Sequence, residues 1–325
     1  MKSDTGNYKT KSAVLFITFN KPEETRLVFE AIKNVRPPRI YLASDGARTE
    51  KAGETEIVES IRNYLLNAVD WECEIKTQFS ETNQGCGRGV SGAVSWFFEN
   101  EEMGIILEDD CLPCLNFFRF CDELLVKYKD DERISVISGT TEFAKYREEK
   151  SNEYLFTRFI GKVWGWASFR RVWKDFDFTL SFLPKLKEKM SYEEMLFPLK
   201  KHQIEKRKRK FEKIYKAKGK YSHAWSFQFI CLNLMNKQFN IIPKVNLVSN
   251  LGFGENSTHT YDPNSPEANI PFGELLFPLK EPSPFEENLQ FARDYYDFIM
   301  PKTSMWQRIA KELSRFEREM KKCCR

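Results

Sequence analysis

The stretch Met103-Gly104-Ile105-Ile106-Leu107-Glu108-Asp109-Asp110-Cys111-Leu112-Pro113 decides how this chain is read. Ile105, Ile106 and Leu107 form a short apolar run, the pattern of a buried strand. The run stops at three consecutive carboxylates, Glu108, Asp109 and Asp110, before Pro113 and the helix-like Phe117-Phe118-Arg119-Phe120. Adjacent carboxylates repel one another, and a buried strand end suits them only if a cation is present. Hard oxygen ligands suit Mg²⁺ or Mn²⁺. Ligands of open α/β sheets bind at the carboxyl ends of strands. The segment therefore predicts a metal–nucleotide site at a strand end, although acidic triplets also occur on solvated surfaces.

Outward from this point, strand and helix patterns alternate. Continuous apolar or β-rich runs predict strands over residues 13–19, 39–43, 72–79 and 134–138. Helical spacing covers residues 23–34, 54–66, 90–99 and 116–129. This alternation predicts an α/β fold with a doubly wound, mostly parallel sheet. After about residue 150 the strand alternation stops and aromatics cluster, as in Trp164-Gly165-Trp166. A short strand is expected at 240–243, a proline-rich surface connection over 262–284, and two closing helices. The expected division is an α/β half (1–150), a second half of the same domain (151–261) and a C-terminal extension (262–325).

The chain of 325 residues carries 51 Lys and Arg against 47 Asp and Glu, a balance that argues against a dedicated nucleic-acid binder. Its eight cysteines have no framework spacing, and Cys111-x-x-Cys114 lacks the second pair of a zinc site. Reduced thiols in a cytoplasmic protein are expected. The sequence shows no signal-peptide pattern and no apolar run long enough to span a bilayer. Lys206-Arg207-Lys208-Arg209-Lys210 reads as a solvated helix face or as attraction to an anionic membrane surface. Residues 305–322 place Trp306, Ile309, Leu313 and Phe316 on one face, which suits an interfacial helix or one packed on the domain.

Further candidates are individually weaker. Asp45 ends a strand and precedes Gly46, so it suits a base or ribose contact, or a plain turn. Asn83-Gln84-Gly85-Cys86-Gly87-Arg88-Gly89 resembles a phosphate cradle without P-loop spacing, and equally a tight turn. His223 and His259 are two of only three histidines, and His259 is a candidate for completing a metal site with Asp110. Trp164, Trp166 and Trp225 suit a stacking wall for a sugar ring, or core packing.

Asp45, Asn83 to Arg88 and Glu108-Asp109-Asp110 fall in the order and spacing of glycosyltransferases of the GT-A fold. Over roughly residues 12–260 the chain resembles the family 2-like nucleotide-diphospho-sugar transferases of bacteria. Leu107 to Pro113 with Phe117-Phe118 is similar to the metal-binding region of N-acetylglucosaminyltransferase I. The resemblance implies that Asp45 binds uracil or another base, and that Asn83 and Arg88 line the nucleotide pocket. Glu108 and Asp109 would contact ribose and diphosphate, and Asp110 would hold Mn²⁺ or Mg²⁺. It further implies a hexosyl- or N-acetylhexosaminyltransferase of surface-polysaccharide assembly, with a nucleotide-sugar donor and a glycan or lipid-linked acceptor. The location implied is the cytoplasm or the inner membrane face.

Inverting relatives need a carboxylate base, and similar proteins carry a Trp-Asp pair where this chain reads Trp225-Ser226. Asp175, Asp177, Glu193, Glu194 and His223 are the candidates to replace it. Two other classes remain open: a sugar-nucleotide-forming nucleotidyltransferase and a non-catalytic nucleotide-sugar-binding protein.

Overall fold

The computed structural model describes residues 8–159, 163–220, 224–253, 265 and 267–302. Its first half follows the expected alternation closely: β1 (Ala13–Thr18), α1 (Pro22–Val35), β2 (Arg39–Ser44), α2 (Glu54–Ala68), β3 (Glu74–Phe79), α3 (Gly85–Asn100) and β4 (Met103–Glu108). Then come β5 (Cys111–Pro113), α4 (Leu115–Lys127) and β6 (Ile134–Ser138). β1 is buried at every position, as a central parallel strand covered on both faces must be. In α1, Pro22 stands in the first turn, Glu23 and Glu24 face the positive end of the helix dipole, and Lys33 lies in the last turn. Thr25, Val28, Phe29, Ile32 and Val35 form its buried stripe.

α3 starts at Gly85, five residues before the sequence suggests, so the glycine-rich segment is the opening of a helix rather than a loop. Gly89 suits the close approach there: a Cβ on it would come within 3.2 Å of the Asp45 carboxylate.

Strand formation does not give way after residue 150. β7 (Lys150–Thr157), β8 (Trp166–Phe169), β9 (Phe239–Pro243), β10 (Val248–Asn250) and β11 (Glu274–Lys280) follow. Between them lie α5 (Arg170–Trp173), α6 (Leu183–Lys189), α7 (Tyr192–Met195), α8 (Lys201–Lys216) and α9 (Ser226–Met235), with α10 (Leu289–Ile299) after β11. One nine-stranded sheet results, in the order β11-β7-β9-β6-β8-β4-β1-β2-β3. β3, β2, β1, β4, β6 and β9 run one way, while β8, β7 and β11 run the other. The sheet is therefore α/β and mostly parallel, and it crosses the expected boundary at residue 150 without interruption. β11 falls in the stretch read as a surface connection. It is an edge strand, where Pro278 costs no ladder hydrogen bond inside the sheet.

The core is aromatic: Phe16, Phe29, Phe97, Phe117, Phe118 and Phe120 are fully buried, and each stabilises the fold by about 1.5–3 kcal/mol of transfer free energy. One buried carboxylate anchors the entrance to β1. Asp122 on α4 accepts hydrogen bonds from Tyr8 Oη (2.6 Å), Thr10 Oγ1 (2.9 Å), Lys11 N (2.9 Å), Ser12 N (3.0 Å) and Ser12 Oγ (2.5 Å). This knot fixes where β1 begins and therefore where its carboxyl end emerges. The basic run forms α8, which exposes Lys206, Arg209, Lys213 and Lys216 but buries Ile204, Phe211, Ile214 and one of its own cations, Arg207, whose guanidinium donates to Tyr296 Oη at 3.2 Å. Among the described residues, no helix is long and apolar enough to cross a membrane.

Candidate functional site

The carboxyl ends of β1, β2 and β4 open into one cavity of about 310 Å³, the size of a small-ligand pocket. Its first wall is built from Thr18 to Lys21 after β1, Asp45 and Arg48 after β2, Asn83 and the start of α3, and Glu108 to Asp110 after β4. Its second wall comes from Val163, Trp164, Ala224, Trp225, Ser226, Asn250 and Gly252. Residues distant in sequence meet because β4 joins β1 in parallel and β10 pairs antiparallel with β5, placing Asn250 opposite Cys111.

The acidic triplet lies at the floor. Burial and the charges of Asp110 and Asp109 push the Glu108 carboxyl up to about 8. Asp109 is buried, which also raises its carboxyl, against the pull of Lys21. Its Oδ2 accepts the backbone N–H of Phe19 at 2.9 Å. Asp110 Oδ2 accepts a hydrogen bond from Lys21 Nζ at 2.5 Å, and the same ammonium lies 3.7 Å from Asp109 Oδ1. Burial disfavours the Lys21 charge, but Asp109 and Asp110 outweigh it and hold the ammonium protonated well above its ordinary range. Gly252 leaves room for this carboxylate: a Cβ there would stand 2.1 Å from Asp110 Oδ2. Leu251 N donates to the Asp110 backbone carbonyl at 2.8 Å, and Gly252 N to Asn250 Oδ1 at 2.8 Å. Beside the triplet, burial and the neighbouring acidic groups Glu108 and Asp110 raise the Cys86 thiol to about 12.

Asp45 and Asn83 meet on the adjacent rim. Asp45 Oδ1 accepts Gly46 N (2.9 Å) and Gln84 N (2.8 Å), and its Oδ2 accepts Gly85 N (3.0 Å) and Asn83 Nδ2 (3.2 Å). Asn83 Nδ2 also donates to Gly46 O at 2.8 Å. Asp45 therefore ties the end of β2 to the start of α3 while lining the cavity. Arg88 is not there: it is exposed and lies over the Phe178 ring at 4.9 Å. Gly85, Cys86, Gly89, Val90 and Ala93 present one face of α3 to the cavity, and position 88 falls off that face. Arg48 lines the cavity, but Glu54 holds its guanidinium and its backbone N–H. That pairing keeps the Glu54 carboxyl down at about 2.

On the second wall, Trp164 and Trp225 face the cavity and Ser226 begins α9 beside them. Trp166 does not. It is 1% exposed and stacks on Trp225 at 5.5 Å in the core, with Trp173 and Phe229 around it. Gly165 explains the split: its φ of +62° turns the chain between the two tryptophans, so they cannot share a strand face.

None of the described candidates for a base lines the cavity. Asp175 and Glu193 are exposed, Glu194 pairs with Lys237, and Asp177 accepts hydrogen bonds from Thr179 and Ser181 in its own turn. His223 and His259 lie outside the described residues, as does the helix expected over 305–322.

Asp110, the residue expected to hold Mn²⁺ or Mg²⁺, already has a cation on its cavity-facing oxygen. Among the described residues, no group of three His, Cys, Asp or Glu side chains converges as metal ligands would. A dication bonded to Asp110 Oδ2 at about 2.1 Å would meet the Lys21 ammonium, which stands 2.5 Å from that oxygen. With Lys21 where it stands, the described residues leave Asp110 Oδ2 no open position for a divalent ion. The sequence pattern did not single out Lys21 or Arg48 as site residues. The signal for Lys21 was its place at the end of the first strand, directly before the Pro22 that starts α1.

No protein-family model matches the chain, and no curated protein matches it. Among solved structures it is similar to a mannosyltransferase from Pyrobaculum calidifontis in complex with GDP-Man and Mn²⁺, with 13% identity and a TM-score of 0.34 over 52% of this chain. It spans about half of that protein, 47% of its length. It is also similar to mouse xyloside xylosyltransferase 1, with 9% identity and a TM-score of 0.36 over 70% of this chain and 83% of that one. A third likeness is to the inositol-1-phosphate CTP transferase from T. maritima, with 10% identity and a TM-score of 0.32 over 57% of this chain and 78% of that one. Values of this size leave function to be read from the site itself.

Proposed function

We propose that this chain is a GT-A-type glycosyltransferase that takes a nucleotide-diphosphate sugar as donor and passes the sugar to a glycan or lipid-linked acceptor. One observation carries the reading. The acidic triplet and Lys21 form the floor of a cavity at the carboxyl ends of parallel strands, with Trp164 and Trp225 opposite. A charged floor suits a nucleotide diphosphate and its ribose, and an indole wall suits the apolar face of a sugar ring. Asp45 and Asn83 support a base-binding rim beside it.

The nucleotidyltransferase alternative is less well supported, because Phe19-Asn20-Lys21-Pro22 offers no glycine-rich turn to wrap a triphosphate. The non-catalytic alternative has a specific observation behind it. The described cavity carboxylates, Asp45, Glu108, Asp109 and Asp110, all come from the first wall, and Ser226 stands where a base is expected on the second.

The test is a thermal-shift screen of the whole chain with nucleoside diphosphates and nucleotide sugars, followed by donor turnover with candidate glycan acceptors. A ligand that binds only the native state raises its apparent stability by mass action. A shift with a nucleotide sugar, lost in Asp110→Ala, is expected. No shift with any nucleotide would refute the donor site, and a shift without turnover would favour the binding protein.

A further inference from the structure

We infer that Lys21 takes the place of the divalent cation at this site: its ammonium binds the donor diphosphate, and donor binding needs no metal ion. The inference rests on reading the cavity as a nucleotide-sugar site.

Three observations lead to it. The first is charge. A diphosphate brought to a floor of carboxylates needs a cation between them. Among the described cations, Arg48 lines the cavity paired with Glu54 and Arg88 faces away, whereas Lys21 lines the cavity beside the triplet with its Nζ 2.5 Å from Asp110 Oδ2. The second is hydrogen-bonding capacity. An ammonium has three N–H donors and no acceptor. Asp110 takes one of them, and Asp109 Oδ1, at 3.7 Å, is beyond hydrogen-bond reach, so donors remain for phosphate oxygens. The third is placement. Lys21 is the N-cap residue of α1, its carbonyl accepts Thr25 N at 2.9 Å, and Pro22 follows it. Its backbone is thus held by the helix start, and the side chain has a fixed origin beside the carboxylates. Asp110 and Asp109 orient the ammonium in the way that outer ligands orient a bound metal, while Gly252, which has no side chain, leaves space beside Asp110 Oδ2.

The experiment is calorimetric titration of the whole chain with UDP and with GDP, in EDTA and in Mn²⁺. Lys21→Met and Lys21→Arg are titrated alongside, each checked for a native urea midpoint. For the diphosphate that binds, the Kd in EDTA is expected within about threefold of that in Mn²⁺. Lys21→Met should weaken binding in EDTA by about tenfold or more, and Lys21→Arg should recover most of the loss. Binding that needs Mn²⁺ and ignores Lys21→Met would overturn the inference while leaving the donor site standing. If neither diphosphate binds under either condition, the donor site and this inference fall together.

Discussion

Replacing Gly252 by Ala tests the packing that holds the acidic floor in place. The backbone at Gly252 is outside the left-handed region, so an alanine is conformationally allowed and only contact is altered. The added Cβ would stand 2.1 Å from Asp110 Oδ2, 2.8 Å from its Cγ and 3.1 Å from its Cβ. Relief requires the carboxylate to withdraw by about 1 Å. The glycine side cannot easily yield, because Leu251 N is bonded to the Asp110 carbonyl at 2.8 Å and β10 is paired to β5. A displacement of that size disturbs the Lys21–Asp110 hydrogen bond, which stands at 2.5 Å in the native chain. A charge-assisted hydrogen bond of this kind contributes about 1.5–3 kcal/mol, and overpacking costs a similar amount. Gly252→Ala is therefore expected to lose about 1–3 kcal/mol in urea unfolding and to bind nucleoside diphosphate about tenfold more weakly by calorimetry. Unchanged stability together with unchanged affinity would refute the reasoning, because the carboxylate would then have moved at no cost.

Two further outcomes concern parts of the molecule away from the floor. Asp122→Ala strips the acceptor from Tyr8, Thr10, Lys11 and Ser12, and unsatisfied buried donors should lower stability by about 3 kcal/mol or more in urea. A loss under 1 kcal/mol would show that water replaces the carboxylate there. Glu54, held by Arg48, has its folded carboxyl lowered from 4.5 to about 2. A depressed carboxyl contributes stability that is full above the unfolded value and is lost as pH falls through the folded one. Urea midpoints should thus fall between pH 4.5 and 2 more steeply in the native chain than in Glu54→Gln, and parallel curves would contradict the pairing.

Much of the first half was legible because buried parallel strands are apolar on both faces and therefore continuous in sequence. Residues 13–18 and 134–138 need no context to be read as strands. β8 and β11 escaped for opposite reasons. β8 is four residues long and hidden in an aromatic cluster, and β11 is an edge strand whose run contains Pro278, a residue that argues against a strand. The acidic triplet was legible because charge at the end of an apolar run is anomalous. Lys21 was not, since a lone lysine before a helix-starting proline looks ordinary until β1 and β4 are set side by side. Arg88 was misplaced for a geometric reason: a loop can aim any residue at a ligand, but a helix starting at Gly85 commits position 88 to another face. Trp164 and Trp166 look equivalent at a spacing of two, and only the conformation of Gly165 separates cavity wall from core.

The stack of Trp166 on Trp225 has an optical consequence. Trp225 reaches the cavity, and its ring lies 5.5 Å from that of Trp166 at an angle of 29°. Two indoles so close share their electronic transitions, and one member of the pair borders whatever fills the site. Occupancy is thereby written into the near-ultraviolet dichroism and intrinsic emission of the unlabelled chain. Trp164, set apart from the stack against Phe253 at 5.7 Å, gives a second signal from the same wall.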